Sequence, residues 1–142
     1  PQFGVRWSRY WLDLVRYADT SGYERDQEKA FAWKYRDWIV QAWNEDMPFD
    51  QFVRWQLAGD EVPSTSDKPD RDEIIATGFL RLGTWNDEPN DPADYVYERL
   101  EDMVHVTSSA FIGLTVKCAR CHDHKFDPIS QADYYRLGSA FW

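Results

Sequence analysis

Apolar side chains recur along this chain at intervals of three and four residues, the spacing of one face of an α-helix. These apolar faces lie at residues 7–18, 31–42, 52–57, 74–80, 96–114 and 134–141. The last helix is expected to begin where Ser130 and Asp133 form a capping-box-like pair. Because no alternating stretch is long enough for a sheet, the pattern predicts an all-α fold with five to six helices.

Turn-forming and capping residues predict where these helices end. The first helix is expected to continue through Ala18, with Trp7 and Tyr10 among its core-facing residues. Asp50 is expected to cap the third helix and Gly59 to end it. The stretch 60–70 is rich in proline and serine and is predicted to be a loop within one domain.

Composition limits the class of protein. The 142 residues are the size of one ordinary domain, so 1–142 is predicted to be a single domain. Hydrophobic residues make up 43% of the chain, but no apolar run reaches the roughly 18 residues of a membrane span. The net charge of −9 repels phosphate backbones. We therefore expect neither a membrane span nor a nucleic-acid partner.

The strongest chemical signal is the run CARCH at residues 118–122, a CxxCH motif. This motif is the attachment signature of c-type haem. Two thiols three residues apart lie on one side of a helical turn, so Cys118 and Cys121 can add to the two vinyl groups of one porphyrin. His122 is then the predicted axial ligand of the iron. Haem c is therefore the predicted cofactor.

Two other interpretations of the motif stay open. The cysteines could be an inert pair, or Cys118, Cys121, His122 and His124 could bind zinc. Structural zinc sites usually draw their second ligand pair from a distant segment, whereas these residues all lie within seven positions. The local sequence therefore favours haem.

Basic residues surround the motif in an otherwise acidic chain. Arg120 and Lys125, together with Lys117, are candidates to offset the two haem propionates, with only Asp123 opposing them. A solvated cluster of charges explains the same pattern equally well.

Beyond the motif, the chain resembles the larger of the two planctomycete cytochrome-c-like domains, a family of unknown function. The segments that carry the resemblance are RW at 6–7, WLDLVRYADT at 11–20, YRDW at 35–38, MPFDQFV at 47–53, QLAGD at 56–60, ATGFLR at 76–81 and LTVKCARCHDHKFDPI at 114–129. The resemblance implies a periplasmic or secreted location, haem attached at Cys118 and Cys121, and His122 as axial ligand. It also implies that such domains are usually parts of longer chains. His105 departs from our impression of the family.

These observations together predict an extracytoplasmic monohaem c-type cytochrome that exchanges one electron with a redox partner protein or a fused redox domain. One alternative is a haem enzyme whose sixth iron position is open, acting on peroxide or a glycan-related substrate. The other is a haem-free Cys/His metal-binding module.

The sixth ligand of the iron is left open by the sequence. No methionine follows His122, so Met47 and Met103 are the methionine candidates. His124 and His105 are further candidates, and an open site is as well supported as any of them. Met103 and His105 qualify only if the helix breaks between them and the motif.

Several weaker features need no special function. If one ring nitrogen of His122 binds iron, the other ring nitrogen carries a hydrogen and needs an acceptor. The expected acceptor is a backbone carbonyl or the carboxylate of Asp123 or Asp127. The acidic loop 86–92 could hold Ca²⁺ but lacks the spacing of a known calcium loop. The eight tryptophans could include a sugar-stacking surface, although core packing explains most of them.

Overall fold

The computed structural model describes residues 2–63 and 71–142, and these form two compact units that divide between Asn86 and Asp87. Each unit is described by itself. The described residues are mostly helical and contain no strand beyond the isolated bridge between Thr20 and Glu28, which confirms the all-α prediction. Residues 64–70 of the predicted loop lie outside the described residues.

The first unit is built from four α-helices and two 3₁₀ turns. The helices are α1 (Gln2–Leu14), α2 (Ala32–Asn44), α3 (Phe49–Ala58) and α4 (Asp72–Ala76), and the 3₁₀ turns are Gly59–Glu61 and Thr77–Arg81. Val15, Ile39 and Phe79 are among the most deeply buried side chains of this unit. Their burial shows that α2, the Thr77–Arg81 turn and the residue just after α1 contribute to its core.

Helix α1 ends earlier than its apolar pattern predicts. It stops at Leu14, not at Ala18, and Arg16 adopts a left-handed conformation with φ of 60°. The predicted core face is also wrong for Trp7 and Tyr10, because Tyr10 is 62% exposed and Trp7 is 43% exposed. Helix α1 is therefore rotated about its axis relative to the orientation that its aromatic residues predict.

Small residues on α1 explain this rotation. Gly4, Ser8 and Trp11 are the buried residues of α1. A Cβ atom built on Gly4 would lie 2.2 Å from the backbone oxygen of Val40 on α2, far inside van der Waals contact. The close approach of the two helices therefore requires glycine at this position, and it turns the aromatic face outward.

A buried chain of hydrogen bonds connects α1, α2 and α3. Trp11 Nε1 donates to Tyr35 Oη at 3.1 Å, and Tyr35 Oη donates to Gln56 Oε1 at 2.6 Å. Gln56 is fully buried, and its Nε2 donates to the carbonyl oxygen of Phe52 at 3.1 Å. Because each polar group has a partner, the chain fixes the three helices without the cost of an unpaired buried group. Burial also raises the pKa of the Tyr35 phenol.

Helix α3 differs from its predicted boundaries. Its N-cap residue is Pro48, and Asp50 lies inside the first turn, so the predicted capping role of Asp50 is wrong. Gly59 does end the α-helix but has right-handed dihedral angles and continues into a 3₁₀ turn. A Cβ on Gly59 would lie 1.8 Å from the Glu73 carbonyl oxygen, so this glycine permits a close approach to α4.

The second unit contains two α-helices that flank the motif. Helix α5 is Pro92–Ile112 and α6 is Gln131–Gly138, and the 3₁₀ turns Val116–Arg120 and Ser139–Phe141 follow them. The core cluster of buried residues comprises Val104, Val116, Ala119 and Tyr134, with Leu114, Ile129, Leu137 and Phe141 packed against it.

Both ends of α5 are defined by local residues. Asp91 accepts hydrogen bonds from the backbone N–H groups of Ala93 and Asp94, so α5 begins at Pro92, before the apolar face predicted from residue 96. Gly113 ends α5 in a left-handed conformation with φ of 68°. The helix break that the sequence analysis required before the motif therefore exists, at Gly113.

The predicted capping box of α6 is confirmed. Ser130 Oγ accepts from the Asp133 backbone N–H, and the Asp133 carboxylate accepts from the Ser130 backbone N–H at 2.9 Å. Hydrogen bonds from the Ser130 side chain, its backbone N–H and Arg136 hold the pKa of Asp133 below its ordinary value of 3.8. The carboxylate form is therefore the one that stabilises the start of α6.

None of the helices in the described ranges has the length and apolar character needed to cross a bilayer.

We predict that Gly4→Ala destabilises the first unit by about 1–3 kcal/mol, because the added methyl group forces α1 away from α2. Urea unfolding followed by circular dichroism measures the change. Val5→Ala, at the adjacent exposed position of α1, is the matched control and should change stability by less than about 0.5 kcal/mol. Unchanged stability of Gly4→Ala would show that the helices are not in close contact.

We predict that Asp133→Asn destabilises the protein near neutral pH and that the difference from wild type shrinks in acid. The folded-state pKa is lowered, so the stabilisation by the carboxylate is present above the unfolded pKa and is lost as pH falls through the folded pKa. Urea unfolding at about pH 6 and about pH 3 measures both differences. Glu98→Gln, an exposed position on α5, is the control. A pH-independent difference would contradict the prediction.

Candidate functional site

The CxxCH motif lies on the 3₁₀ turn Val116–Arg120, which we call the motif turn, and on the two residues that follow it. A 3₁₀ helix has three residues per turn, so side chains three apart lie on the same face. The five residues of the turn and Cys121 therefore form three faces of two residues each. The three pairs are Val116 with Ala119, Lys117 with Arg120, and Cys118 with Cys121.

The first face anchors the turn in the core. Val116 is 5% exposed and Ala119 is fully buried, and both belong to the core cluster with Val104 and Tyr134. The turn is therefore held against α5 and α6 by apolar contacts, while its other two faces point away from this core.

The second face is an ion-pair cluster with α5. Lys117 Nζ lies 3.1 Å from Glu101 Oε1, and Arg120 Nη1 forms a hydrogen-bonded ion pair with Glu101 Oε2. The Glu101 side chain is only 16% exposed. The sequence analysis placed Asp123 alone against these cations and missed Glu101. Lys117 and Arg120 are two positive charges on one face of the turn, and this pattern could have indicated an acidic partner.

The third face carries the thiols. Cys118 and Cys121 are both exposed and neither forms a disulfide. The spacing of three residues and the 3₁₀ geometry place them on one side of the turn, as the motif predicts. Two accessible thiols on one face are the arrangement that covalent attachment of a single flat group requires.

His122 follows the thiols and is exposed. Its Nδ1 lies 2.7 Å from the backbone carbonyl oxygen of Asp123. Since a carbonyl oxygen only accepts, Nδ1 carries the proton and donates. The lone pair of His122 is therefore on Nε2, the nitrogen that is left for a metal. Of the partners that the sequence allowed, the structure has the carbonyl.

His124 has the opposite tautomer and a structural role. Its Nδ1 accepts from the backbone N–H groups of Asp127, at 2.9 Å, and Phe126, at 3.3 Å. Its Nε2 therefore carries the proton and donates to Thr115 Oγ1 at 3.1 Å. The Asp127 carboxylate lies 3.3 Å from Nδ1, but with Nδ1 unprotonated this contact is not an ion pair. Both ring nitrogens are engaged, so His124 fixes the loop after the motif.

Residues of α6 hold the end of the motif. The Asp123 carboxylate accepts from the Gln131 backbone N–H at 2.8 Å, and the Gln131 side-chain amide donates to the Arg120 carbonyl oxygen at 2.9 Å. Tyr135 Oη donates to the same carbonyl at 3.3 Å. Asp123 is therefore used to attach the loop to α6, and its carboxylate is not the partner of His122. These contacts could not be predicted from the sequence.

Lys125, the second predicted propionate partner, lies with its Nζ 5.1 Å from the centre of the Phe126 ring. Phe126 is 82% exposed. Lys125 and Phe126 are the fourth and fifth residues after Cys121, and the Phe126 ring is an apolar group exposed to solvent.

An aromatic cavity of about 560 Å³ lies beside Arg120 within the second unit. It is lined by Asp94, Tyr97, Leu100, Val104, Arg120, Tyr134, Tyr135, Gly138, Ser139 and Trp142. Burial raises the pKa of the Tyr134 phenol above its ordinary value of 10, and the charge of Glu101 adds to this rise. Tyr134 is therefore a neutral phenol across the physiological pH range.

The candidate sixth ligands lie in different places. Met47 is in the first unit and lines a cavity there. Met103 is half-buried on α5, and His105, also on α5, contacts Ser109 Oγ through Nδ1 at 3.3 Å. These roles stay predictions.

The part of the chain that the structure describes contains no preformed site for the zinc or calcium ion of the alternative interpretations. No group of three or more His, Cys, Asp and Glu side chains is arranged there to hold a metal ion. His124, a required member of the proposed zinc set, has both nitrogens engaged. In the loop proposed for Ca²⁺, the Asp91 carboxylate caps α5.

The fold and site define an all-α chain with two free thiols and an imidazole presented together on a short 3₁₀ turn. The chain belongs to the PSCyt2 family, described as a protein of unknown function (DUF1549), whose family profile matches residues 1–142. No curated protein and no solved structure matches the chain significantly. The family match tests neither haem attachment nor a planctomycete source, and both stay predictions.

We predict that His124→Ala destabilises the protein by about 1–3 kcal/mol, because two backbone N–H groups and Thr115 lose their partner. Urea unfolding of this variant and of Lys125→Ala, the exposed neighbour, measures the change. The visible spectrum of matured His124→Ala protein should match that of wild type. A changed ligand-field spectrum would instead identify His124 as an iron ligand.

Proposed function

We propose that this chain is a c-type cytochrome domain that carries one haem on Cys118 and Cys121 and transfers single electrons. The observation that supports this most directly is the geometry of the motif turn. Two exposed free thiols share one face, and the next residue has its imidazole lone pair on Nε2. Each element of a CxxCH haem site is therefore present in a suitable chemical state.

The residues have distinct roles in this proposal. Each thiol would hold the haem through a thioether, with a C–S bond formed and the thiol hydrogen transferred as the S–H group adds across one vinyl double bond. His122 Nε2 would bind the iron, and the Asp123 carbonyl fixes the ring by accepting from Nδ1. When bound, haem supplies an iron centre that accepts and releases one electron.

The cations near the motif are shared with Glu101. Arg120 and Lys117 both pair with this carboxylate, so their charge is largely balanced within the protein. Lys125 has no such acidic neighbour in the contacts of the described residues and remains the better candidate for a propionate. A neutral carbonyl partner on His122 makes the imidazole less electron-rich than a carboxylate partner would, which favours a higher reduction potential.

The proposed partner is a redox protein or a redox domain in the same longer chain, outside the cytoplasm. Thioether attachment suits such a location because the haem cannot be lost to the surroundings. The net charge of −9 favours a basic partner, whose association should slow as salt concentration rises.

We predict that protein matured in a bacterium with a c-type haem maturation system gains the mass of one haem, and that its alkaline pyridine spectrum shows two saturated vinyl positions. Cys118→Ser with Cys121→Ser should return the mass to that of the bare polypeptide. His105→Ala is a control variant that leaves Cys118, Cys121 and His122 in place, and it should keep the haem. Wild-type protein with the bare polypeptide mass would refute the proposal.

The same preparations resolve the sixth ligand. A low-spin ferric spectrum that converts to high spin in Met47→Leu or Met103→Leu identifies that methionine as the ligand. A high-spin wild-type spectrum that changes on adding cyanide instead supports the enzyme with an open iron position.

A further inference from the structure

A second candidate site lies in the first unit. It is a cavity of about 210 Å³ formed by α1, the end of α2 and the start of α3. The lining residues are Trp11, Ala42, Trp43, Asp46, Met47, Phe49 and Phe52. The cavity is smaller than the roughly 300–1,000 Å³ of drug-sized pockets, so it suits a small ligand or one head group.

Aromatic rings in several orientations enclose this cavity. The ring of Phe52 lies at 69° to Trp11, with centroids 5.0 Å apart, and at 67° to Trp43, with centroids 6.2 Å apart. The Phe49 ring is inclined by only 24° to Phe52. The indoles of Trp11 and Trp43 therefore meet Phe52 edge to face, and the four rings that line the cavity form no single flat stacking surface.

The charged group of the lining is acidic. Asp46 is exposed at the rim and adopts a left-handed conformation with φ of 53° just after the end of α2. The carbonyl end of α2, which finishes at Asn44, adds partial negative charge. The opposing partial positive charge at the start of α3 is offset by Asp50 in its first turn. The lining contains no lysine or arginine.

We propose that this cavity binds an alkylammonium cation of the quaternary ammonium type. Aromatic rings attract such a cation through their negative faces, and the adjacent carboxylate complements its charge. The thioether of Met47 adds a polarizable apolar contact for the methyl groups. A neutral sugar would need several polar partners, whereas the described lining offers one charged side chain, Asp46, and one unpaired N–H donor, Trp43 Nε1.

The test compares choline with its uncharged carbon analogue, in which a tert-butyl group replaces the trimethylammonium group. We expect choline to bind about 5- to 30-fold more tightly in calorimetric titrations of the full chain at physiological ionic strength. Because the two probes have the same shape, the ratio reports the charge alone. Equal affinities, or no binding of choline, would overturn the proposal.

Two variants locate the site. Asp46→Asn should weaken choline binding by about 3- to 10-fold and leave the analogue unchanged, and asparagine tolerates the left-handed backbone at this position. Asp13→Asn removes the same charge from exposed α1 and should change binding by less than about 2-fold. Phe49→Leu, at a 60% exposed position, should weaken choline more than the analogue.

Unchanged far-UV circular dichroism and urea midpoints confirm that the variants fold. Choline binding that responds equally to Asp46→Asn and Asp13→Asn would show attraction to the net charge only, and would contradict a site. Binding of glucose without binding of choline would assign the cavity to neutral sugars and also overturn the proposal. Neither outcome depends on haem attachment.

Discussion

The three-residue period of the motif turn is the constraint on which the second unit depends. A single turn of 3₁₀ helix gives each of its three faces a different environment: the apolar core, the Glu101 carboxylate and solvent. In an α-helix, with 3.6 residues per turn, the two members of each pair would instead be offset by about 60° around the helix axis. The spacing that brings two thiols together therefore also directs Ala119 into the core and Arg120 toward α5, so the function and the packing of this segment share one geometry.

Two histidines in adjacent turns show how neighbours decide the role of a residue type. His122 faces a carbonyl oxygen, which only accepts, while His124 faces two backbone N–H groups, which only donate. The first histidine is thereby left with its lone pair on Nε2 and the second with its lone pair occupied. Only the first is suited to bind a metal from the exposed side of the loop.

Much of the fold could be predicted from the sequence because the signals are local. The capping box at Ser130, the end of α3 at Gly59 and the CxxCH spacing each depend on a few adjacent residues. The orientation of α1 could not, since it depends on how closely Gly4 approaches Val40, thirty-six positions away. The aromatic residues of α1 predicted the wrong face because the prediction considered the hydrophobicity of the side chains and not how closely small side chains let two helices pack.

The site shows the same division between local and distant determinants. The roles of the thiols and of His122 can be predicted from the motif itself. The ion pair of Glu101 with Arg120 and the hydrogen bond of Thr115 with His124 cannot be predicted from the motif alone. Acidic neighbours such as Glu98 and Asp102 are typical of a solvated helix face, so the burial of Glu101 could not be predicted from the sequence. Its burial is compensated by two cations from one face of the motif turn, a requirement that becomes visible only when the turn is known to be 3₁₀.

Because the second unit is small, attachment of the proposed cofactor would affect its stability. Asp87–Trp142 lies at the small end of domains that fold alone, roughly 55–65 residues, and its core cluster has four buried side chains. Small units commonly gain stability from a metal or a covalent link. A haem joined to Cys118 and Cys121 would supply both. Attachment would therefore stabilise the unit that presents the motif, so that folding and cofactor binding would be coupled.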